Sequence, residues 1–177
     1  MLTVRRQARG AVLQALYAQA VGGGDAAYVW RTVLDKALRQ VPEEADFARA
    51  LFYGVIEFAW HADALVEAES KNWKLERMPL LDRLILRMAI CEFLQFADIP
   101  PKATVDEALE LAKEFSTERS APFINGVLDS VLYRLRVEGK LDKSGPGLKG
   151  MDELMQHQDN RRKLTESSLP RRRRSRR

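Results

Sequence analysis

Two consecutive prolines, Pro100 and Pro101, set the hardest limit on this chain. Neither has an amide hydrogen to donate, and each restricts the residue before it, so a helix arriving through Phe93 and Leu94 must stop there. The chain turns. Beyond the turn, Thr104-Val-Asp-Glu107 has the spacing of a capping box, in which hydroxyl and carboxylate satisfy the orphan amides of a helix start. A helix is therefore expected to begin within a few residues of Lys102. Val105, Ala108, Leu109, Ala112 and Phe115 recur at helical spacing, with polar residues between them. After the polar break Ser116-Thr-Glu-Arg-Ser-Ala-Pro122, a broader stripe from Phe123 and Ile124 through Val127, Leu128, Val131, Leu132 and Leu135 predicts a largely buried helix. Residues 98–133 thus read as turn, helix, tight break, helix. Arg119 and Phe123 stand at the mouth of the second helix, and function is expected to gather there.

The rest of residues 1–140 has the same period. Val12, Leu13, Leu16 and Ala20 predict a first helix over residues 3–20, ended by Gly22-Gly23-Gly24. Asp25 can cap a second helix from Ala26 to about Gln40. A third starts at Pro42 and is expected to run unbroken to Ser70 or Asn72, with Gly54 in its middle. A mid-helix glycine costs about 1 kcal/mol against alanine, which close packing of another helix over Gly54 would offset. Residues 73–79 interrupt the pattern. The next helix, carrying Leu81, Leu84, Ile85, Met88, Ala89, Phe93 and Leu94, is apolar over more than half its circumference and belongs at the centre. No segment alternates with period two, so the fold class is all-α.

The length of 177 residues suits one well-buried domain. No apolar run reaches the roughly 18–20 residues of a membrane span, and the start is unlike a secretory signal, so a cytoplasmic protein is expected. Lone Cys91 lies in an apolar helical pattern and reads as a buried structural thiol. The net charge of +4 divides unevenly. Residues 141–177 carry 11 Lys/Arg against 5 Asp/Glu, leaving 29 − 11 = 18 basic and 25 − 5 = 20 acidic residues in 1–140. The expected division is therefore a domain at 1–140 and a disordered, Arg-rich tail at 141–177. Any polyanion site on the domain must concentrate its charge locally.

In order along the chain, Arg5-Arg6-x-Ala8-Arg9 with Leu13-Gln14-Ala15-Leu16-Tyr17, Gly54-Val55, Trp73 through Leu75 to Arg77, and Asp82-Arg83-x-Ile85-Leu86-Arg87-Met88-Ala89 resemble the NusB family of bacterial antitermination factors. So do Asp98-Ile99-Pro100-x-Lys102, Glu107-Ala108-x-Glu110-Leu111-Ala112-Lys113-x-Phe115 and Phe123-Ile124-Asn125-Gly126-Val127-Leu128-Asp129. The resemblance covers about residues 3–138. It implies a compact bundle of six to seven helices in two layers. It also implies binding of boxA RNA in ribosomal RNA leader transcripts, with ribosomal protein NusE, in an antitermination complex on RNA polymerase.

Arg5, Arg6 and Arg9 make a basic first turn, unfavourable against the helix dipole. They are expected to overhang the core and meet RNA phosphates, which suit guanidinium forks. The alternative is a solvated, frayed terminus. Gly10 replaces the family's usual acidic residue and is expected to loosen this segment into an arm. The resemblance implies base stacking for Phe123, against the generic reading of a core phenylalanine. Arg119 stands where the family often has an acidic residue, and the exchange should raise phosphate affinity. Lys102 and Lys113 extend the basic surface or are simply solvated. Gly126 is expected to admit a neighbouring helix and Asn125 to satisfy buried polar groups. By the resemblance, Tyr17 and Asp82 are the favoured contacts to NusE, ahead of Glu76 and Glu92.

His61 and His157 lack metal-ligand spacing, and no phosphate loop, dinucleotide turn or nucleophile elbow is present. No enzyme, metal or cofactor is expected. The nearest rival, a NusB-like domain of an rRNA cytosine methyltransferase, needs a cofactor domain and catalytic cysteines. A third reading is a helical adaptor that binds polyanions nonspecifically through its tail. Apolar faces on the first helices could serve a homodimer or the core.

Overall fold

The computed structural model describes residues 4–70, 74–153 and 156, and every described element is helical. Trp73, His157 and the Arg171–Arg177 run lie outside these residues. Helix α1 spans Val4–Gly22 and ends where Gly23 takes a φ of +63°, a backbone state that suits glycine. Asp25 then accepts a hydrogen bond from the Ala27 amide and caps the next rod. That rod is α2 (Ala26–Val29), a π turn (Trp30–Leu34) and α3 (Asp35–Leu38) in direct succession.

A single helix from Pro42 to about residue 70 is not what forms. A 3-10 turn at Pro42–Glu44 leads into α4 (Ala45–Glu57), and α5 (Ala59–Glu69) comes after a break at Phe58. Phe58 has φ −94° and ψ 10°, yet its amide still reaches the Gly54 carbonyl at 2.9 Å. The bend lets α4 pack on α1 while α5 turns away toward α8, and no glycine or proline at position 58 announces it. Gly54 does admit a neighbour: a Cβ there would stand 2.9 Å from the Cys91 sulfur.

Helix α6 (Leu80–Gln95) is central, as its apolar girth predicts, touching α1, α4, α5, α7 and α8. Helices α7 (Pro101–Phe115) and α8 (Ser120–Val137) complete a second layer around it. One core runs through both layers, from Val12, Leu13 and Leu16 through Leu51 and Phe52 to Ile85, Ile90, Leu128 and Leu132. Apolar residues of the first-layer helices enter this core, while Tyr17, Val21, Tyr28 and Trp60 stay exposed.

The expected boundary near residue 140 does not hold, because the next residues dock on the end of α6. Lys143 is buried, and its ammonium donates to the Glu92 carbonyl at 3.0 Å and the Phe96 carbonyl at 2.7 Å. The Ser144 amide donates to the Ala97 carbonyl, a 3-10 turn forms at Gly145–Leu148, and Met151 is buried. At Gly147 a Cβ would fall 1.9 Å from the Ala97 carbonyl oxygen, so only glycine permits this approach. Low hydrophobicity hid this segment, since main-chain hydrogen bonds, one lysine and a close-packed glycine anchor it alongside Met151.

Candidate nucleic-acid interface

The three N-terminal arginines find their anions inside the protein. Arg9 is 5% exposed and makes a two-pronged pair with Glu92, at 2.7 Å and 2.9 Å. Thr104 donates its hydroxyl to the same carboxylate at 3.0 Å. Arg6 grips Glu107 at 3.0 Å and 2.9 Å and reaches Glu110 at 3.4 Å, and the Glu107 hydrogen bond raises its pKa further. Arg5 pairs with Glu44 at 2.8 Å and lies 4.6 Å from the Phe47 ring centre, with its side chain 41% exposed. An external anion is thus unnecessary for holding these residues. Arg9 is corrected from an RNA contact to a buried strut between α1 and α6. Arg5 and Arg6 keep partial access to solvent.

This network also revises the start of α7. Pro101 opens the helix with Pro100 as its N-cap, a role suited to a residue with fixed φ and no amide hydrogen. Thr104 therefore lies inside the helix, buried and facing Glu92, while Glu107 faces Arg6, so no capping box forms. Glu92 is likewise removed from the partner surface. Gly10 does not loosen α1, which runs through it unbroken; a Cβ there would meet the Phe115 ring at 3.9 Å.

The break between α7 and α8 is pinned from below. Asp82, 3% exposed, accepts from the Ser116 hydroxyl at 2.6 Å and the Ser120 hydroxyl at 3.0 Å. The Thr117 amide donates to the Ser120 oxygen at 3.3 Å. Asp82 is therefore corrected from a partner contact to the residue that sets this turn. Arg119, exposed, is the N-cap residue of α8, and Phe123 comes one turn later, half-buried against the core. A cleft of about 570 Å³ opens beside them, lined by Leu109, Lys113, Ser116, Ala121, Pro122 and Asn125 among others.

The expected site residues are spread along α7. Arg6 meets its middle, at Glu107 and Glu110. Lys102, exposed, lies in its first turn, whereas Arg119 and Phe123 lie beyond its last. The 15 residues of α7 separate them, which at 1.5 Å per residue is about 20 Å. Between the ends, Lys113 is exposed but bonded to Glu110 at 2.7 Å, which pulls the Glu110 pKa down. Tyr17 is 43% exposed on the outer face of α1, and Glu76 is also exposed. Gly126 is exposed with no neighbour over it, so it admits no helix, and Asn125 is only half-buried on the cleft wall.

Sequence reasoning missed Glu44, Glu107, Thr104 and Lys143 as members of this end of the molecule. A usable signal existed for Glu107 alone: it shares an α7 face with Glu110, one turn on, and a basic helix start elsewhere in the chain needs such a face. The other pairings depend on which helices become neighbours. Among the described residues no group of three or more His, Cys, Asp or Glu is placed to hold a metal ion, and no helix is long and apolar enough to cross a membrane.

Residues 6–133 match the NusB family. The chain is 41% identical over 155 residues to the transcription antitermination protein NusB of Salinibacter ruber, covering 88% of this chain and 97% of that one. It is 41% identical over 135 residues to NusB of Geobacter sulfurreducens, covering 76% and 98%. The structure of T. maritima NusB superposes with a TM-score of 0.66 at 34% identity, over 75% of this chain and 93% of that one. A structure of the antitermination factors NusB and NusE in complex with dsRNA shares the fold, with a TM-score of 0.63 at 18% identity, over 76% and 99%. By sequence and by fold, this chain belongs to the NusB family of transcription antitermination factors.

Proposed function

We propose that the chain is a cytoplasmic, non-catalytic RNA-binding factor that takes boxA-type RNA of ribosomal RNA leader transcripts together with ribosomal protein NusE, in an antitermination complex on RNA polymerase. The observation that carries this reading is the mouth of α8. There the Asp82–Ser116–Ser120 bonds hold a turn that presents exposed Arg119 one helical turn before half-buried Phe123. A guanidinium suits a phosphate, and an aromatic ring offers an unpaired base a stacking surface worth about 1–3 kcal/mol. Further positive charge comes from Lys102 in the first turn of α7, from Arg6 against its middle and from half-exposed Arg5. Family membership and the NusB–NusE–dsRNA complex of a fold relative support the choice of partners.

Fluorescence anisotropy with a boxA-like RNA and a scrambled RNA of equal length, with and without NusE, tests the reading. The boxA-like RNA should bind more tightly when NusE is present, and Phe123→Ala or Arg119→Ala should weaken it. Equal binding of both RNAs with NusE present would reduce the protein to a nonspecific polyanion binder.

A further inference from the structure

Residues 141–151 lie beyond residue 133, where the family match ends, yet they grip one turn of the body at several points. The buried Lys143 ammonium donates to the Glu92 and Phe96 carbonyls, and the Phe96 carbonyl also accepts the Ile99 amide at 3.2 Å. The Ser144 amide donates to the Ala97 carbonyl at 2.9 Å. Gly147 has no positive φ to call for a glycine, so its missing side chain serves only the close approach to Ala97 and Asp98. Leu141 packs on the core and Met151 is buried, which seats both ends of the segment. The turn from α6 into α7 is thus held from outside by residues that follow α8.

Two solvent-reaching cations rest on that turn. Exposed Lys102 follows it directly, after Pro100 and Pro101, whose fixed φ angles carry the direction of the turn into α7. Arg5 rests on it through two rings: its guanidinium lies 4.6 Å from the Phe47 ring centre, and Phe47 meets the Phe96 ring edge-on at 5.5 Å. Glu92 joins the two sides, since its carbonyl accepts from Lys143 while its carboxylate accepts from Arg9 and Thr104. Arg119, by contrast, is set from Asp82 through Ser116 and Ser120. We propose that residues 141–151 are a clamp, with Lys143 and Gly147 as its positioning residues, that holds the α6–α7 turn so that Arg5 and Lys102 are both in place for RNA phosphates. This rests on the RNA-binding reading above. Lys143 is buried, so it acts through those two residues rather than on the RNA: a turn already fixed in the free protein loses less conformational freedom on binding.

The test compares the full chain with Lys143→Met and Gly147→Ala, each alone and combined with Lys102→Ala, Arg5→Ala or Arg119→Ala. Hydrogen exchange without RNA reads the clamp itself: the Ile99 and Thr104 amides should exchange faster in both clamp variants, while amides in the middle of α8 keep their protection. Anisotropy with a boxA-like RNA, with NusE present and well below the melting transition, reads the consequence. Each clamp variant should weaken binding by roughly three- to tenfold. That loss should shrink by a factor of roughly three in the Lys102→Ala and Arg5→Ala backgrounds and stay whole beside Arg119→Ala, because coupled residues depart from additivity and distant ones do not. A segment that only stabilises the fold would leave affinity unchanged at this temperature, and that result overturns the proposal. Unchanged exchange at Ile99 in both variants, or an equal loss in all three backgrounds, would overturn it too. If the parent chain itself fails to bind the RNA, the RNA-binding reading falls instead, and the exchange data still decide whether the clamp holds the turn.

Discussion

The buried carboxylate of Asp82 accepts a hydrogen bond from the Ser116 hydroxyl at 2.6 Å, so a residue on the central helix dictates the turn between the two helices above it. Ser120 adds a second bond to the same carboxylate at 3.0 Å. Arg119 lies between these two serines in sequence and owes its position to them. Asp82→Ala should destabilise the fold by about 1–3 kcal/mol, the cost of leaving buried polar groups short of a partner. Chemical denaturation measures this. RNA affinity should fall as well, and Asp82→Asn, which keeps one acceptor oxygen, should lie between.

The arginines should separate into a strut and contacts. Removing one partner of a buried pair strands the other charge, at about 3–5 kcal/mol, so Arg9→Ala should lower stability by roughly that amount. Arg5 is itself 41% exposed, but its partner Glu44 is only 10% exposed, so the pair is part-buried. Arg5→Ala should therefore cost about 1–3 kcal/mol for the stranded carboxylate, less than Arg9→Ala, while also reducing the salt slope of RNA binding. Thermal melts beside anisotropy at several salt concentrations would distinguish the two roles.

Gly54 and Cys91 should couple. Gly54→Ala recovers about 1 kcal/mol of helix propensity but drives a methyl group to 2.9 Å from the Cys91 sulfur. The single variant should be less stable than the parent. Adding Cys91→Ala removes the obstructing atom, so a double-mutant cycle should show a favourable interaction energy on the order of 1 kcal/mol. Additive effects would mean that α6 simply shifts to make room.

The Cys91 thiol, pushed up to about 12 mainly by burial, should be inert toward a disulfide reagent at neutral pH until the protein unfolds. The rate of thiol release in native buffer should match the rate of global or subglobal opening measured by hydrogen exchange.

Lys143 sets the pH response of the segment docked on the end of α6. Its folded pKa of about 8 lies below the usual 10.5, so between these values the unfolded chain holds the proton more often than the folded one. Stability contributed at this site should rise with pH across that window and be lowest below pH 8. The neutral amine still has hydrogens to donate to Glu92 and Phe96. Comparing the parent with Lys143→Met by denaturation from pH 7 to pH 10 checks the sign: the parent should gain on the variant as pH rises.

Much of the body was legible in advance because hydrophobic periodicity is a local property. The stripe on α6 marked it as central, Gly54 marked a close crossing, and the prolines at 100 and 101 marked the turn into α7. The bend at Phe58 was not legible, since it arises from two helices needing different neighbours rather than from a residue that breaks helices. Nor was the docking of residues 141–151, whose glycine- and proline-rich sequence has no helical period.

The charged residues divide along the same line. Arg5, Arg6 and Arg9 identify a basic helix start from their spacing alone, and the helical period already ranks which residues enter the core. Whether such a residue meets water, a partner or a buried carboxylate is decided by packing between segments far apart in the chain. Arg9 and Glu92 are 83 residues apart, and Asp82 and Ser116 are 34. A charge can be left unhydrated only where the fold supplies its counter-ion or hydrogen-bond partner within about 3 Å, and that proximity exists only in the tertiary structure.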